Sequence, residues 1–129
     1  MTARKPNAKD WRNRPVADWT LTTFRQYLAD EHERRFGIVY TARNYAIEGR
    51  WLKSLIAEHG NEVVKRFIDA CFDEYKPTRD YPGVNFGFMF SYQRARVLPR
   101  ILAAKQREEQ AQARRQQAQA DIEDLTEWW

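Results

Sequence analysis

The apolar residues in the first third of the chain recur at helical spacing. Thr20 or Thr22 can begin a helix, because a threonine oxygen accepts hydrogen bonds from the free N–H groups of a first turn. Gly37 is the natural end, since glycine adopts the left-handed conformation after a helix without steric cost. The predicted apolar stripe consists of Leu21, Phe24, Tyr27 and Leu28. This pattern predicts one amphipathic helix, followed by an extended connection over residues 38–40.

Two further helices are predicted on either side of Gly60. The second runs from about Arg43 to His59, and its apolar residues are Ile47, Trp51, Leu52, Leu55 and Ile56. The third begins at Asn61, a good N-cap, and its apolar residues are Val63, Val64, Phe67, Ile68, Cys71, Phe72 and Tyr75. Full burial of such a side chain contributes about 1.5–3 kcal/mol, so the third helix is predicted at the centre of the core.

The next segment supports two interpretations. Residues 76–84 form a loop, because they contain Pro77, Pro82 and Gly83. Beyond the loop, the aromatic and apolar residues at positions 84, 86, 88, 90 and 92 alternate as they do in a strand. A helix capped by Asn85 would instead group Phe86, Met89, Phe90 and Val97. A lone strand needs a partner and only residues 38–41 offer one, so we favour a helix for residues 84–92.

The last third of the chain is rich in good helix formers but poor in apolar residues. Pro99 either kinks a helix here or begins a new one. Residues 103–120 are almost entirely alanine, glutamine, glutamate and arginine, which is typical of a solvated helix, a frayed helix or a spacer. Their heptad positions form no sustained apolar seam, so a coiled coil is disfavoured.

Length and composition limit the class of protein. The chain has 129 residues, of which 43% are hydrophobic and 31% charged, enough for one compact domain with an extension. No apolar run is long enough to span a membrane, and the basic start lacks the apolar core of a secretory signal. A single cysteine, Cys71, excludes a disulfide framework and fits a reducing cytoplasm. We predict an all-α domain, a small bundle of about four helices, located in the cytoplasm.

The residues that usually carry catalysis form no recognisable site. His32 and His59 lie on different predicted helices, and neither has a second ligand three or four residues away. Cys71 lies on the apolar stripe of the third helix, as a small core residue would. The glycines form no phosphate-binding loop, and no pair of carboxylates stands out as an acid and a base. The sequence therefore predicts a protein that is not an enzyme, without metal or cofactor.

Charge divides the chain into four segments. Residues 1–18 form a basic arm of net charge +3, with Trp11 as an anchor, and residues 19–104 form the helical domain, also +3. Residues 105–120 are a polar helix or spacer of net charge +2. Residues 121–129 form an acidic tail of net charge −4, which ends in two tryptophans. We interpret the arm as mobile or as a segment that becomes ordered late, and the tail as the most informative segment.

Basic residues late in the domain are candidates for nucleic-acid binding. On one helix Arg96, Arg100 and Arg107 project to one side, and such a ridge could follow a line of phosphates. The loop adds a combination of basic and aromatic residues that could stack on unpaired bases. The candidates are Arg94, Arg96, Arg100, Lys105 and Arg107 on the helix, and Lys76, Arg79 and Tyr81 in the loop. The alternative is an ordinary solvated surface, because the net charge of the domain is only +3.

The tail is the stronger candidate for binding a protein. Ile122, Leu125, Trp128 and Trp129 fall on one side of a helical turn or two, among four acidic residues. Exposed tryptophans are unfavourable in water unless another surface receives them. Three receivers remain open: a groove on a partner protein, the basic face of this chain, or its own core.

The layout resembles that of bacteriophage helicase-loader and replisome-organiser proteins. The resemblance lies in the stretches WTLTTFRQYLADEHERRFGIVY, RWLKSLIAEHGNEVVKRFIDACFDEYKPTRDYP and FGFMFSYQRARVLPRI, within residues 19–102. It implies a compact helical amino-terminal domain, followed by a flexible carboxy-terminal region that engages a replicative helicase or another replisome protein. We therefore expect a non-enzymatic replication accessory protein in a bacterial host. The alternatives are a nucleic-acid-binding transcription regulator whose tail masks its basic face, and a phage inhibitor of a host protein.

Overall fold

The computed structural model describes residues 7–128 and confirms the all-α fold class. The first helix, α1, spans Leu21–Phe36, the second, α2, spans Tyr45–His59, and the third, α3, spans Asn61–Glu74. A fourth continuous helical segment has three parts: an α-helical turn at Phe86–Phe88, a π-helical turn at Met89–Gln93, and the long helix Arg94–Glu127, here α4. The described residues contain no strand, which decides the alternative at residues 84–92 in favour of a helix.

Local capping fixes the ends of most helices where the sequence predicts them. Thr20 caps α1 and exchanges hydrogen bonds with Thr23, and Gly37 ends α1 in the left-handed conformation. Asn85 accepts a hydrogen bond from the Phe88 N–H at 2.8 Å and begins the fourth helical segment. These caps act through neighbours in the sequence, so they are readable from it.

The predicted role of Asn61 as an N-cap is wrong. Gly60 occupies the N-cap position of α3, and no side chain there caps the helix. The Asn61 amide instead donates to the backbone oxygens of Val16 and Trp19, both at 2.8 Å. Asn61 therefore ties the amino-terminal segment to the start of α3.

The described part of the basic arm packs against the domain. Two short 3₁₀ helices occupy Trp11–Asn13 and Val16–Asp18. The Trp11 indole lies 4.8 Å from the Tyr27 ring and donates a hydrogen bond to Asp30 at 2.7 Å. Trp11 is thus an anchor, as predicted, but the interpretation of the arm as mobile does not hold for residues 7–18.

The core lies between α1, α2, α3 and the start of the fourth helical segment, and α3 contributes the most buried apolar residues. The buried apolar residues of α3 are Val63, Val64, Phe67, Ile68, Cys71 and Phe72. His32 is buried beside them and joins three segments, since its Nδ1 lies 3.0 Å from the Ile38 oxygen and its Nε2 accepts from the Val84 N–H. Gly83 is required next to this ring, because a Cβ there would lie 2.5 Å from His32 Nε2.

Candidate partner-binding site

The long helix α4 leaves the bundle and continues into solvent. Its 34 residues correspond to about 51 Å of helix. The Arg66 guanidinium on α3 donates two hydrogen bonds to the Glu108 carboxylate, at 3.1 and 2.9 Å. Beyond Glu108, the side-chain hydrogen bonds of α4 in the described chain stay within the helix, as between Gln117 and Asp121. The predicted segment boundaries at 104/105 and 120/121 both fall inside this one helix.

Pro99 lies inside α4 without ending it. A proline has no N–H, so the carbonyl four residues earlier, at Ala95, loses its helical partner. Both residues are exposed to solvent, and water can therefore pair with that carbonyl. The helix continues through this position, so the alternative that a new helix begins at Pro99 is wrong.

The end of α4 presents large apolar side chains to solvent. Ile122 is 56% exposed, Leu125 64% and Trp128 88%. Residues three positions apart lie on neighbouring parts of a helix face, so these side chains form one apolar surface, here called the tail surface. Its exposure excludes the core as the receiver of these three residues. Trp129, the fourth predicted contact, lies outside the described residues.

The acidic residues around the tail surface oppose helix formation. Asp121, Glu123, Asp124 and Glu127 occupy the last two turns of α4, and no basic residue lies in the last turn. The carboxyl end of a helix carries partial negative charge, and nearby acidic residues destabilise it by about 0.3–1 kcal/mol each. These acidic residues do not stabilise the helix itself, so their presence favours a role in recognising a basic surface.

The predicted basic ridge is partly neutralised by the domain. Arg96 and Arg100 both bind the Glu74 carboxylate at the end of α3, and the Arg100 Nη2 lies 2.8 Å from its oxygen. The Arg94 guanidinium lies 3.8 Å from the centre of the Phe90 ring. Glu74 was not predicted as part of this surface, because only the tertiary structure brings α3 beside α4.

The two remaining residues of the ridge lie further along α4. Lys105 approaches Glu109 at 3.8 Å, a weak ion pair between residues one turn apart. Arg107 is exposed and lies next in sequence to Glu108. Arg96, Arg100 and Arg107 do share one side of α4, but only Arg107 extends this basic side beyond the reach of Glu74.

The loop candidates begin beside this ridge and then separate. Lys76 follows two residues after Glu74, so the chain brings it close to Arg96 and Arg100. Lys76 and Arg79 are exposed. Tyr81 is 72% exposed and lies at the edge of an aromatic groove, where the Tyr75 hydroxyl donates to its backbone oxygen at 2.6 Å.

This aromatic groove is a surface that the sequence did not reveal. It has a volume of about 820 Å³ and lies between α2, the loop and the π-helical turn. The Phe88 and Tyr92 rings lie 5.1 Å apart and are both exposed, whereas Trp51 stacks on Phe90 at 4.5 Å. The alternating aromatic residues over 86–92 are the only sequence pattern that points to this groove, but their helical arrangement decides which rings reach the surface. Exposed aromatic rings of this kind are enriched in protein-binding surfaces.

The buried titratable groups of the domain have structural partners. Glu48 accepts hydrogen bonds from the Tyr40 hydroxyl at 2.6 Å and from the Arg43 N–H at 2.7 Å, so it holds the connection before α2. Burial raises the pKa of the Cys71 thiol to about 12, which disfavours a reactive thiolate. Within residues 7–128, no three histidine, cysteine or acidic side chains come together to hold a metal ion.

Comparison with protein-family models, with curated proteins and with solved structures gives no match to this chain. The resemblance to helicase-loader and replisome-organiser proteins therefore stays a prediction from the sequence. In the described chain, no helix combines the length and the apolar character needed to cross a membrane.

Proposed function

We propose that this chain is a non-enzymatic replication accessory protein that binds a replicative helicase, or another replisome protein, through its tail surface. The observation that carries the proposal is the exposure of Ile122, Leu125 and Trp128 on one side of a helix that projects from the bundle. The class of partner comes from the resemblance of residues 19–102 to phage helicase loaders.

Presentation on a formed helix suits a docking element. An amphipathic helix binds a groove through apolar residues spaced three or four positions apart, and tryptophan is a frequent anchor in such interfaces. A segment that is already helical loses less conformational entropy on binding than a disordered one. The last tie to the bundle is at Glu108, about 30 Å of helix before Trp128, so a bulky partner can reach the tail surface.

Single substitutions at the tail surface are expected to weaken binding to the replicative helicase. We expect Trp128→Ala to raise the Kd by about thirtyfold, because removing a buried interface tryptophan costs about 2 kcal/mol or more. Leu125→Ala is expected to have a smaller effect in the same direction. Titration calorimetry with the purified helicase and the full chain measures both values.

Gln116→Ala is the matched control for these variants. Gln116 lies nine residues before Leu125, on the opposite side of α4, and alanine preserves the helix there. We expect it to leave the Kd unchanged, and deletion of residues 121–129 to abolish binding with almost no change in Tm. Equal affinity of Trp128→Ala and the unchanged chain would contradict the proposal, and so would a large fall in Tm on deletion.

DNA contact by the basic ridge is the second part of the proposal. The guanidinium groups of Arg96 and Arg100 are exposed, although Glu74 offsets part of their charge, and Arg107 is exposed further along α4. The extended α4 argues against masking of this ridge by the chain's own tail. The proposal therefore places DNA and the partner protein at opposite ends of one helix.

Glu74→Gln is expected to strengthen binding to single-stranded DNA, because it removes the negative charge that Arg96 and Arg100 now neutralise. Fluorescence anisotropy with a labelled oligonucleotide, repeated over a range of salt concentrations, measures the affinity and its salt slope. The control is Glu33→Gln, an exposed carboxylate on α1. DNA contact by the ridge is rejected if affinity is independent of salt, or if both variants behave alike.

A further inference from the structure

A line of residues at seven-residue intervals runs along one side of α4 and changes sign. It begins with Arg100, Arg107 and Arg114 and continues with Asp121 and Trp128. Residues seven apart differ by about 20° around an α-helix, so over its four intervals this line drifts by about 80° and stays within one half of the helix surface. Next to it, Ala104, Ala111 and Ala118 lead to Leu125 at the same interval. This side of α4 therefore carries arginines in its first two thirds, with small alanine side chains next to them, and acidic and aromatic side chains at its end.

The two ends of this line cannot meet within one chain. Arg100 and Trp128 are separated by 28 residues of a continuous helix, about 42 Å. Tail and ridge nevertheless have complementary charges, with net charges of −4 on residues 121–129 and +8 on the rest of the chain. An isolated helix is also marginally stable in water, even when rich in alanine, so the unsupported end of α4 gains from a neighbour.

We propose that two copies of this chain associate through antiparallel pairing of their α4 helices. In this arrangement Trp128 of each copy lies on the guanidinium of Arg100 in the other, and Asp121 lies opposite Arg107. Glu74 already holds the Arg100 side chain through a hydrogen bond at 2.8 Å, and a guanidinium group can stack on an indole ring. A parallel pair would instead place acidic ends together and basic ridges together, which charge repulsion disfavours.

The residues at the centre of the helix pair determine both the distance between the two backbones and the affinity of the dimer. Ala111 and Ala118 have small side chains, so the two helix backbones can approach each other there. The two copies of Arg114 face one another at the midpoint and repel, which limits the affinity and keeps the dimer reversible. The dimer covers the tail surface, so under the proposed function a partner protein competes with the second copy. The dimer itself requires no partner.

Charge exchange between Arg107 and Asp121 tests the pairing in the full chain. Sedimentation velocity at low salt is expected to show a dimer for the unchanged protein. Arg107→Glu and Asp121→Arg alone should each weaken association by about tenfold or more, since each places like charges together twice per dimer. The double variant, and an equimolar mixture of the two single variants, should regain the dimer because both restore opposite charges.

The outcomes distinguish a failure of the helix pairing from a failure of the proposed function. A monomer for the unchanged chain at its highest soluble concentration overturns the pairing. So does full association of Arg107→Glu, or failure of the mixture to associate. The Arg107→Glu variant keeps Leu125 and Trp128, so its titration with the helicase tests the proposed function independently of self-association.

Discussion

Raising the pH from about 10 to about 11 is expected to lower the free energy of unfolding by about 3 kcal/mol. Three acidic groups, the buried Tyr27 and Cys71 and the partly buried Tyr40, keep their protons in the folded chain above their ordinary pKa values. The unfolded chain releases these protons at about pH 8.5 for a thiol and about pH 10 for a phenol. Rising pH therefore favours the unfolded state until the folded groups also ionise.

The cause differs among the three groups. Burial raises the pKa of the Tyr27 hydroxyl, and its hydrogen bond to Asp69 adds to the increase. Burial likewise raises the pKa of Tyr40, with a further contribution from its hydrogen bond to Glu48. For Cys71 burial is the main cause, and its pKa rises to about 12. The stability that these groups contribute is fully present below the unfolded pKa values and is lost above them.

Denaturant unfolding at several pH values measures this loss. Tyr40→Phe should reduce the slope of the free energy of unfolding against pH by about one proton, because phenylalanine has no hydroxyl to ionise. The matched control is Tyr92→Phe, since Tyr92 is 65% exposed and the substitution removes the same hydroxyl. An equal slope in the two variants would show that the buried phenols do not govern alkaline stability.

His32→Leu is expected to lower the free energy of unfolding by about 2–4 kcal/mol. The His32 ring accepts from the Val84 N–H at 3.1 Å through Nε2, so its proton lies on Nδ1 and is donated to the Ile38 oxygen at 3.0 Å. Leucine fills similar space but leaves the buried Val84 N–H and the partly buried Ile38 oxygen without this partner, and an unpaired buried group costs about 1–3 kcal/mol. Thermal unfolding followed by circular dichroism should show a fall in Tm of about 10 °C.

His59→Leu is the matched control for this substitution. His59 ends α2 at the surface, and its Nε2 lies 3.4 Å from Glu58. Its replacement should change the free energy of unfolding by less than about 1 kcal/mol. Similar losses in the two variants would contradict the structural role of His32, which the sequence alone could not separate from a surface role.

Local patterns determined which segments of this chain become helices. Thr20, Gly37 and Asn85 act on backbone groups within three or four residues, so their effects follow from the sequence. The apolar spacing over 63–72 likewise identified the central helix, because its period matches the turn of an α-helix. Asn61 shows the limit of this approach, since its amide contacts carbonyls more than forty residues away.

The tertiary structure decided which of the predicted functional residues are available. Arg96 and Arg100 carry full charges in the sequence, yet Glu74 on a neighbouring helix neutralises them in part. Long-range ion pairs depend on how helices pack, and local periodicity contains no information on that. The tail shows the opposite case: composition alone singled out Leu125 and Trp128, but only a continuous α4 places them in solvent far from the bundle. The sequence determined the chemistry of the two surfaces, and helix packing determined where each is presented.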